Sequence, residues 1–516
     1  MANALPRTTA NILSAQTPQT PDQHKILLIA QMTSGNATSG ALVEGLISEE
    51  EINNAFGRNS QMAKAGRDLM KELSISRVRP QVSAIGLTDN GSGVSATGTV
   101  VFSGTATEAG SITVYVDSKE NGAYKLDISS GDTATNVGDA LVAAITANLD
   151  SPVTAANATG TVTLTAVNAG TQGNTIGVGK AGSVAGLSVT STALTGGATD
   201  PVLTTLFDVV DDSRFNSIVY PAEWGISTLT DFTESRFNVD DNILDGVGIV
   251  SVTDTYANHN TALDALNQRT LAYIPNKIVS DADHKGGAIF ESPIVIAAQA
   301  AAYRGLRLTV GSNTSSIVTN GEGTGGFFFG GIPYHNTPFA NLPTIETGDD
   351  FTNAEALELE NSGGWLLRNN PSNTVVISNE AVTTYKTNTL GNPDITFKYL
   401  NYVDTLSLAR EYIFNNLKAD LSQHILTTGK LIAGRPMVNR EGFIAIMMGY
   451  YSVLSGDNGD NSYVLLRAGA EERQAFRDAL ESVAINLATG TITAESIANI
   501  VTQVRNVIIN ITPTFE

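Results

Sequence analysis

The chain contains no cysteine. That removes disulfides, thiolate metal ligands and cysteine nucleophiles, though it says little about compartment. Charge is scarce and lopsided: charged residues make up 16 % of 516, with 30 Lys plus Arg against 51 Asp plus Glu, a net charge of −21. Such a surface repels a phosphate backbone, which counts against nucleic acid as a partner. The opening residues, MANALPRTTANILSAQTPQTPDQHK, lack a basic stretch followed by an apolar one and do not read as a secretory signal. No run of about 18 uncharged apolar residues is present, so no membrane insertion is expected. The expectation is a soluble protein made without an export signal.

Signatures of catalysis are equally sparse. There is no G-x-S-x-G elbow and no phosphate-binding P-loop. Gly321 to Gly326, GEGTGG, fits the dinucleotide pattern, but FFFGGIPYHN follows where a helix start is required, and a surface loop is the better reading. The five histidines, His24, His259, His284, His335 and His424, include no pair at ligand spacing. Asp281, Asp283 and His284 precede Lys285-Gly286-Gly287 and are explained by a turn; DNGDN at 457–461 is too short for a calcium loop. Glu49, Glu50 and Glu51 follow Ser48 and suit a helix N-terminus better than a catalytic pair. We expect no enzyme, no cofactor and no metal.

What is present falls into segments. The length exceeds one hydrophobic core and suggests roughly two to four domains. Residues 1–24, with Pro6, Pro18 and Pro21, read as an extended arm. KILLIAQM from Lys25 reads as a buried strand, followed by helices after Ser48 and Ser60. Between Arg79 and Arg214 there is no arginine, and 81–200 is rich in Gly, Ala, Ser, Thr and Val. Alternating runs at 98–104, 111–117, 123–129 and 161–167 read as antiparallel strands around one helix near 135–149. The spacing predicts an α/β (α+β) core of 25–80 plus 201–504, an inserted β-rich domain over 81–200, and a C-terminal β arm over 505–516. Further expected elements are a helix running into a strand over 204–221, strands near 246–254 and 271–279, and helices over 405–426, 471–480 and 495–504. Val375 to Leu390, VVISNEAVTTYKTNTL, reads as a strand that Asn379 and Thr383 interrupt.

The stretch from 346 to 394 resembles a segment of the contractile tail sheath proteins of bacteriophages, in their Mu-like branch. The shared order is an acidic segment with a leucine pair (Leu357, Leu359), a Gly363-Gly364 turn, a strand ending in Thr383-Thr384-Tyr385-Lys386-Thr387-Asn388, a Gly391-Asn392-Pro393-Asp394 turn and then a helix. The β-rich insert is similar too, and the likeness runs over roughly 25–430. An arginine usual before the TTY element is absent here, with Ser378-Asn379-Glu380 in its place, and the match weakens from about Gly434.

The resemblance implies a structural protomer that polymerises as stacked hexameric rings, helically arranged around an inner tail tube protein, and that contracts to drive the tube through the host envelope. It implies baseplate and tail terminator proteins as further partners, a virion tail as location, and assembly in the host bacterial cytoplasm. Terminal arms would add strands to neighbouring subunits, with Ile12, Leu13, Val507, Ile509 and Ile511 as strand-exchange candidates. Glu471, Glu472, Arg473, Arg477 and Asp478 are candidates for the tube contact; a solvated charged face explains them equally well. The polar insert is expected to face solvent. Other readings stand beside this one: the sheath of a phage-derived injection device, a β-rich surface or adhesin protein, and a soluble α/β enzyme.

Overall fold

Lys25–Gln31 (β1) is buried in six of its seven residues, as a strand covered on both faces must be. The computed structural model describes residues 24–76, 79–239, 242–277, 291–308, 328–329, 334, 338–345, 350–378, 380–457, 463–495 and 500. After β1 come Leu42–Leu46 (β2), helices Glu49–Phe56 (α1) and Gln61–Leu73 (α2), and Gln81–Leu87 (β3). Ser48 caps α1 by accepting from the Glu51 N–H, as the S-x-x-E spacing predicts. The Glu51 carboxylate reaches one residue further back than a reciprocal box would, to the Ile47 N–H at 2.9 Å. Ser60 caps α2 in the same way.

The chain then leaves the sheet for a β-rich excursion. It holds Ser95–Gly104 (β4), Gly110–Val116 (β5), Ser118–Ile128 (β6), helix Ala134–Ala147 (α3), Val153–Ala158 (β7), Thr161–Ala169 (β8), Val178–Ala181 (β9) and Leu187–Thr195 (β10). Two antiparallel sheets result, ordered β10-β4-β8-β7 and β6-β5-β9. Val137, Leu141 and Ile145 of α3, four apart, join Val100, Phe102 and Val162 in a core of their own.

The main sheet resumes with Ser217–Val219 (β11), helix Ile226–Arg236 (α4), Val247–Asp254 (β12), helix Tyr256–Asp264 (α5) and Leu271–Lys277 (β13). Its order is β13-β12-β11-β1-β3-β2, parallel throughout except for the antiparallel edge strand β2. Helix Pro293–Leu308 (α6) lies beneath it with all sixteen residues buried. Period-two alternation divides the sheet. Ile26, Leu28 and Ala30 face α2 and α6, while Leu27 and Ile29 face the layer containing Leu229 and Leu263.

Beyond it come Phe328–Phe329 (β14), helix Asn353–Asn361 (α7), Leu367–Asn369 (β15), Val375–Ile377 (β16) and the 22-residue helix Leu400–Leu421 (α8). A last unit holds Ile425–Leu426 (β17), Met437–Val438 (β18), Arg440–Leu454 (α9), Tyr463–Val464 (β19), Ala470–Ala479 (α10), Ala484–Asn486 (β20) and Thr491–Thr493 (β21). Mixed α/β architecture is therefore what the strand and helix patterning predicted.

Several expectations need correction. Gln81–Leu87, assigned to the insert, is a main-sheet strand parallel to β1 along its whole length. The run at 375–390 is a strand only over three residues, antiparallel to β15. Past it the backbone turns to separate partners: Thr383 N donates to Lys398 O, Thr384 N to Leu271 O, and Leu400 N to Ala381 O. The Thr383 and Thr384 hydroxyls take the carbonyls of Phe397 and Gln268, bonds that compete with a regular ladder. Of the helix running into a strand expected over 204–221, the strand forms at Ser217–Val219 and the helix reduces to a single 3₁₀ turn at Asp208–Val210. The helix at 405–426 begins and ends five residues earlier. Helix α6 carries no amphipathic stripe, being buried all round, and escaped periodicity. Of the expected 495–504 helix only Glu495 and Ile500 are described; GEGTGG, His284 and His335 lie outside the described residues.

Deleting 95–197 and joining Val94 to Ala198, which already share a backbone bridge, should leave a chain that unfolds cooperatively in urea by far-ultraviolet circular dichroism. Deleting 81–200 takes β3 from between β1 and β2 as well and should abolish the cooperative transition.

Candidate interaction surfaces

The segment that carries the sheath resemblance folds as a clasp across the end of the main sheet. Thr352 and Glu355 form a full capping box at the start of α7. Of its leucine pair, Leu359 is buried and Leu357 exposed. Gly363 turns the chain at φ +97°, and a Cβ there would lie 2.8 Å from the Thr384 Cα, so the glycine is required on two counts. Tyr385 donates to Asp394 at 2.7 Å and closes the TTY and GNPD elements on each other. These residues serve packing: Val375, Ile377, Ala381 and Val382 all enter the core beneath the sheet.

Below the clasp lies a buried charged network that links elements far apart in sequence. Arg304 of α6 forms a close ion pair with Asp404 of α8, and both are 4 % exposed. Tyr334 donates to Asp404 at 2.6 Å, and Arg304 to the Ser217 hydroxyl at 2.7 Å. One to two turns further along α8, Arg214 pairs with Glu411 at 2.6 Å, and Asp245 accepts from Arg410 at 2.9 Å and from Ser407 at 2.9 Å. His24 lies against this network with Nε2 3.1 Å from the Ser217 hydroxyl. Burial, and then the Arg304 and Arg214 charges, hold its pKa well below 6.5, so it is neutral.

A second buried node fastens the β-rich excursion to the core. Lys64 of α2 forms a close ion pair with Asp117 and lies 3.2 Å from Glu291. Burial works against the Lys64 ammonium, but the Asp117 and Glu291 charges outweigh it and raise its pKa. Burial pushes Glu291 up to about 7 against the opposing pull of Lys64, so Asp117 is the principal counter-charge. Asp89 adds a polar seam, accepting from Gln31, Asn168 and the Ala169 N–H at 2.8–3.0 Å. The β-rich excursion thus meets the main-sheet elements through polar groups, its apolar core being separate from theirs.

Helix α8 spans two cores. Leu400 and Val403 belong to the sheet core, whereas Ala409 and Tyr412 pack with Phe443, Met447, Tyr451 and Phe476 of the last unit. Along its flank runs an apolar groove of about 480 Å³ between Phe237, Phe397, Ile413, Phe414 and Leu417. Neither the groove nor either charged node was foreseen, because each joins elements far apart in sequence, up to 227 positions between Lys64 and Glu291, that share no local pattern.

The candidate tube-contact residues do come together, on α10. Glu471, Arg473, Arg477 and Asp478 are exposed and Glu472 partly so, while Phe476 on the opposite face packs on Tyr451 with ring centroids 4.9 Å apart. The acidic first turn and Arg477 in the last turn also complement the helix dipole. Ile12, Leu13, Val507, Ile509 and Ile511 lie outside the described residues. The described histidines are occupied structurally or exposed: His259 bridges the Tyr273 hydroxyl and Asn276 carbonyl, and His424 is on the surface. Among the described residues no group of three or more His, Asp or Glu side chains is placed to hold a metal, and no helix is long and apolar enough to cross a membrane.

Replacing Arg304 by Met strands a buried carboxylate at Asp404 and should cost about 3–5 kcal/mol in urea unfolding. Adding Asp404→Leu should recover part of the loss. For His24, the unfolded chain takes up a proton below pH 6.5 that the folded chain does not. Its contribution is therefore complete above that pH and declines as pH falls. Urea midpoints measured between about pH 7.5 and 5 should fall more for the parent than for His24→Gln.

No family model matches the sequence. The Mu-like prophage FluMu tail sheath protein of Haemophilus influenzae is 31 % identical over 205 residues, a match spanning 38 % of this chain and 40 % of that relative. Among solved structures, a sheath tail protein of Listeria innocua aligns with 94 % of this chain and 95 % of its own at 14 % identity and a TM-score of 0.43. A sheath tail protein of Desulfitobacterium hafniense aligns over 84 % and 86 % at 12 % identity and 0.41. A chain of the anti-feeding prophage baseplate aligns over 99 % and 100 % at 9 % identity and 0.45. Over those 205 residues, less than half the length of either protein, the chain is similar to a Mu-like prophage tail sheath protein.

Proposed function

We propose that the chain is the repeating protomer of a contractile tail sheath, stacked in six-membered rings around an inner tube and shortening to drive that tube through a host envelope. The observation that carries this reading is the sequence homology to a tail sheath protein. The architecture suits it. A protomer that moves as a rigid body needs its units locked together, and α8, about 33 Å long at 1.5 Å per residue, is shared by two cores and pinned by buried ion pairs.

Linkage between protomers would come from strand addition. The hairpin of β20 and β21 is a two-stranded sheet whose residues alternate between exposed and half-buried, and among the described residues neither outer edge is paired. Such edges aggregate in an isolated protein and serve as joints in a polymer. The segments before His24 and after Ile500 would supply the strands, with Ile12, Leu13, Val507, Ile509 and Ile511 as their apolar positions. The charged face of α10, Glu471, Glu472, Arg473, Arg477 and Asp478, would meet the tube protein; baseplate and terminator proteins would close the two ends. The site of action would be the tail of a virion assembled in the bacterial cytoplasm.

Contraction needs no nucleotide in this scheme. A bias of roughly 5.5 kcal/mol already moves a two-state equilibrium from 1:99 to 99:1, and linked protomers add their small preferences. The β-rich excursion, joined to the core by polar groups, would stand on the outside.

Negative-stain microscopy of the purified chain, with and without residues 1–23 and 505–516, tests the reading. Hollow cylinders from the full chain, lost on trimming either end, are expected. A monodisperse monomer indifferent to trimming would overturn the sheath; cylinders that survive both truncations would overturn the strand exchange alone.

A further inference from the structure

The groove on α8 is an open, mostly apolar concavity of about 480 Å³. Ile413, Phe414 and Leu417 are half-buried there, with Phe237 and Phe397 forming the opposite wall. Its rim carries two cations, Arg269 and Arg410, but both are already committed. Arg269 pairs with Glu234 at 3.0 Å and stacks over Phe237, and Arg410 pairs with Asp245 at 2.9 Å. The groove therefore offers no unpaired charge at these positions and suits an uncharged apolar strip.

The start of the described chain lies beside it. His24 lines a small cavity together with Phe237, Asp245 and Ser407, three residues that also line the groove. Twenty-three residues precede His24, and Thr8 to Ala15, TTANILSA, carry no charge and contain the apolar pair Ile12-Leu13. Reach is ample. The eleven steps from Leu13 to His24 can extend to roughly 36–40 Å. The helix length from Ser407 to Leu417 is only about 15 Å.

We propose that the groove on α8 holds residues 10–15 of the chain's own N-terminal segment, with Ile12 and Leu13 seated between Phe237, Phe397 and Leu417. In a free protomer this would keep the apolar pair from neighbouring copies, and assembly would draw it out. That last step rests on the sheath reading; occupancy of the groove does not.

Because the chain has no cysteine, pairwise crosslinking has no background. Leu13→Cys with Leu417→Cys in one full-length chain, treated with a short bismaleimide in dilute solution, should yield a crosslink within a single chain. An equimolar mixture of the two single variants should yield none, and Leu13→Cys with Ser188→Cys, exposed on the β-rich excursion, should stay open. Ile12→Cys with Ile413→Cys repeats the test should the first pair fold poorly, as judged by circular dichroism. A crosslink formed equally in the mixture would mean that a second copy fills the groove and would overturn the proposal. No crosslink with either folded pair would mean that another partner covers it, which also overturns the proposal. Neither result bears on whether the chain forms cylinders, which microscopy reads separately.

Discussion

The buried ion pair between Arg304 and Asp404 is the constraint on which the arrangement turns. Arg304 sits on α6, the helix enclosed beneath the parallel sheet, and Asp404 on the first turns of α8. Both charges are almost wholly withdrawn from water, so each is tolerated only while the other is present. Their pairing places α8 against the ends of β11 and β12, where Arg214, Asp245, Ser407, Arg410 and Glu411 complete a second layer of the same kind. Apolar packing alone would allow α8 to slide along the sheet. Directional hydrogen bonds from three guanidinium groups do not, since displacement by one helical turn would leave several buried charges unpaired.

In the proposed sheath, a protomer that moves as a rigid body would need that property. The sheet core and the last helical unit have separate apolar interiors, and α8 is the element common to both. The β-rich excursion is attached on a different principle. Its core is self-contained, and it meets α2 and the turn before it through Lys64–Asp117 and Arg58–Asp150 around a polar cavity of about 210 Å³, and β1 through Asp89. Polar seams permit small displacements at lower cost than a fused apolar core. Buried charge and a shared helix thus join the sheet core to the last unit, and a wetter contact joins the β-rich excursion.

Much of this was legible in the chain. The apolar run at Lys25–Gln31, the caps at Ser48 and Ser60 and the four-residue spacing of Val137, Leu141 and Ile145 all report local physics, and each element forms where that physics puts it. The readings that failed share one cause. Val375 to Leu390 has strand composition, yet its backbone groups are claimed by β13, by Lys398 and by the start of α8, none of them neighbours in sequence. Gln81–Leu87 has the texture of the excursion that follows it, but its place beside β1 is set by pairing across 56 positions. Helix α6 is apolar on every side, so no period announces it.

Composition, charge sign, caps and alternation depend on residues within a few positions of one another, and the sequence by itself determined them: a mixed α/β protein with a polar β-rich excursion and a sheath-like clasp. Which charges are buried together, where β3 pairs, and that α8 opens an apolar groove beside His24 were decided by the tertiary structure alone. These depend on groups tens to hundreds of residues apart, brought within hydrogen-bond distance only after the sheet has formed.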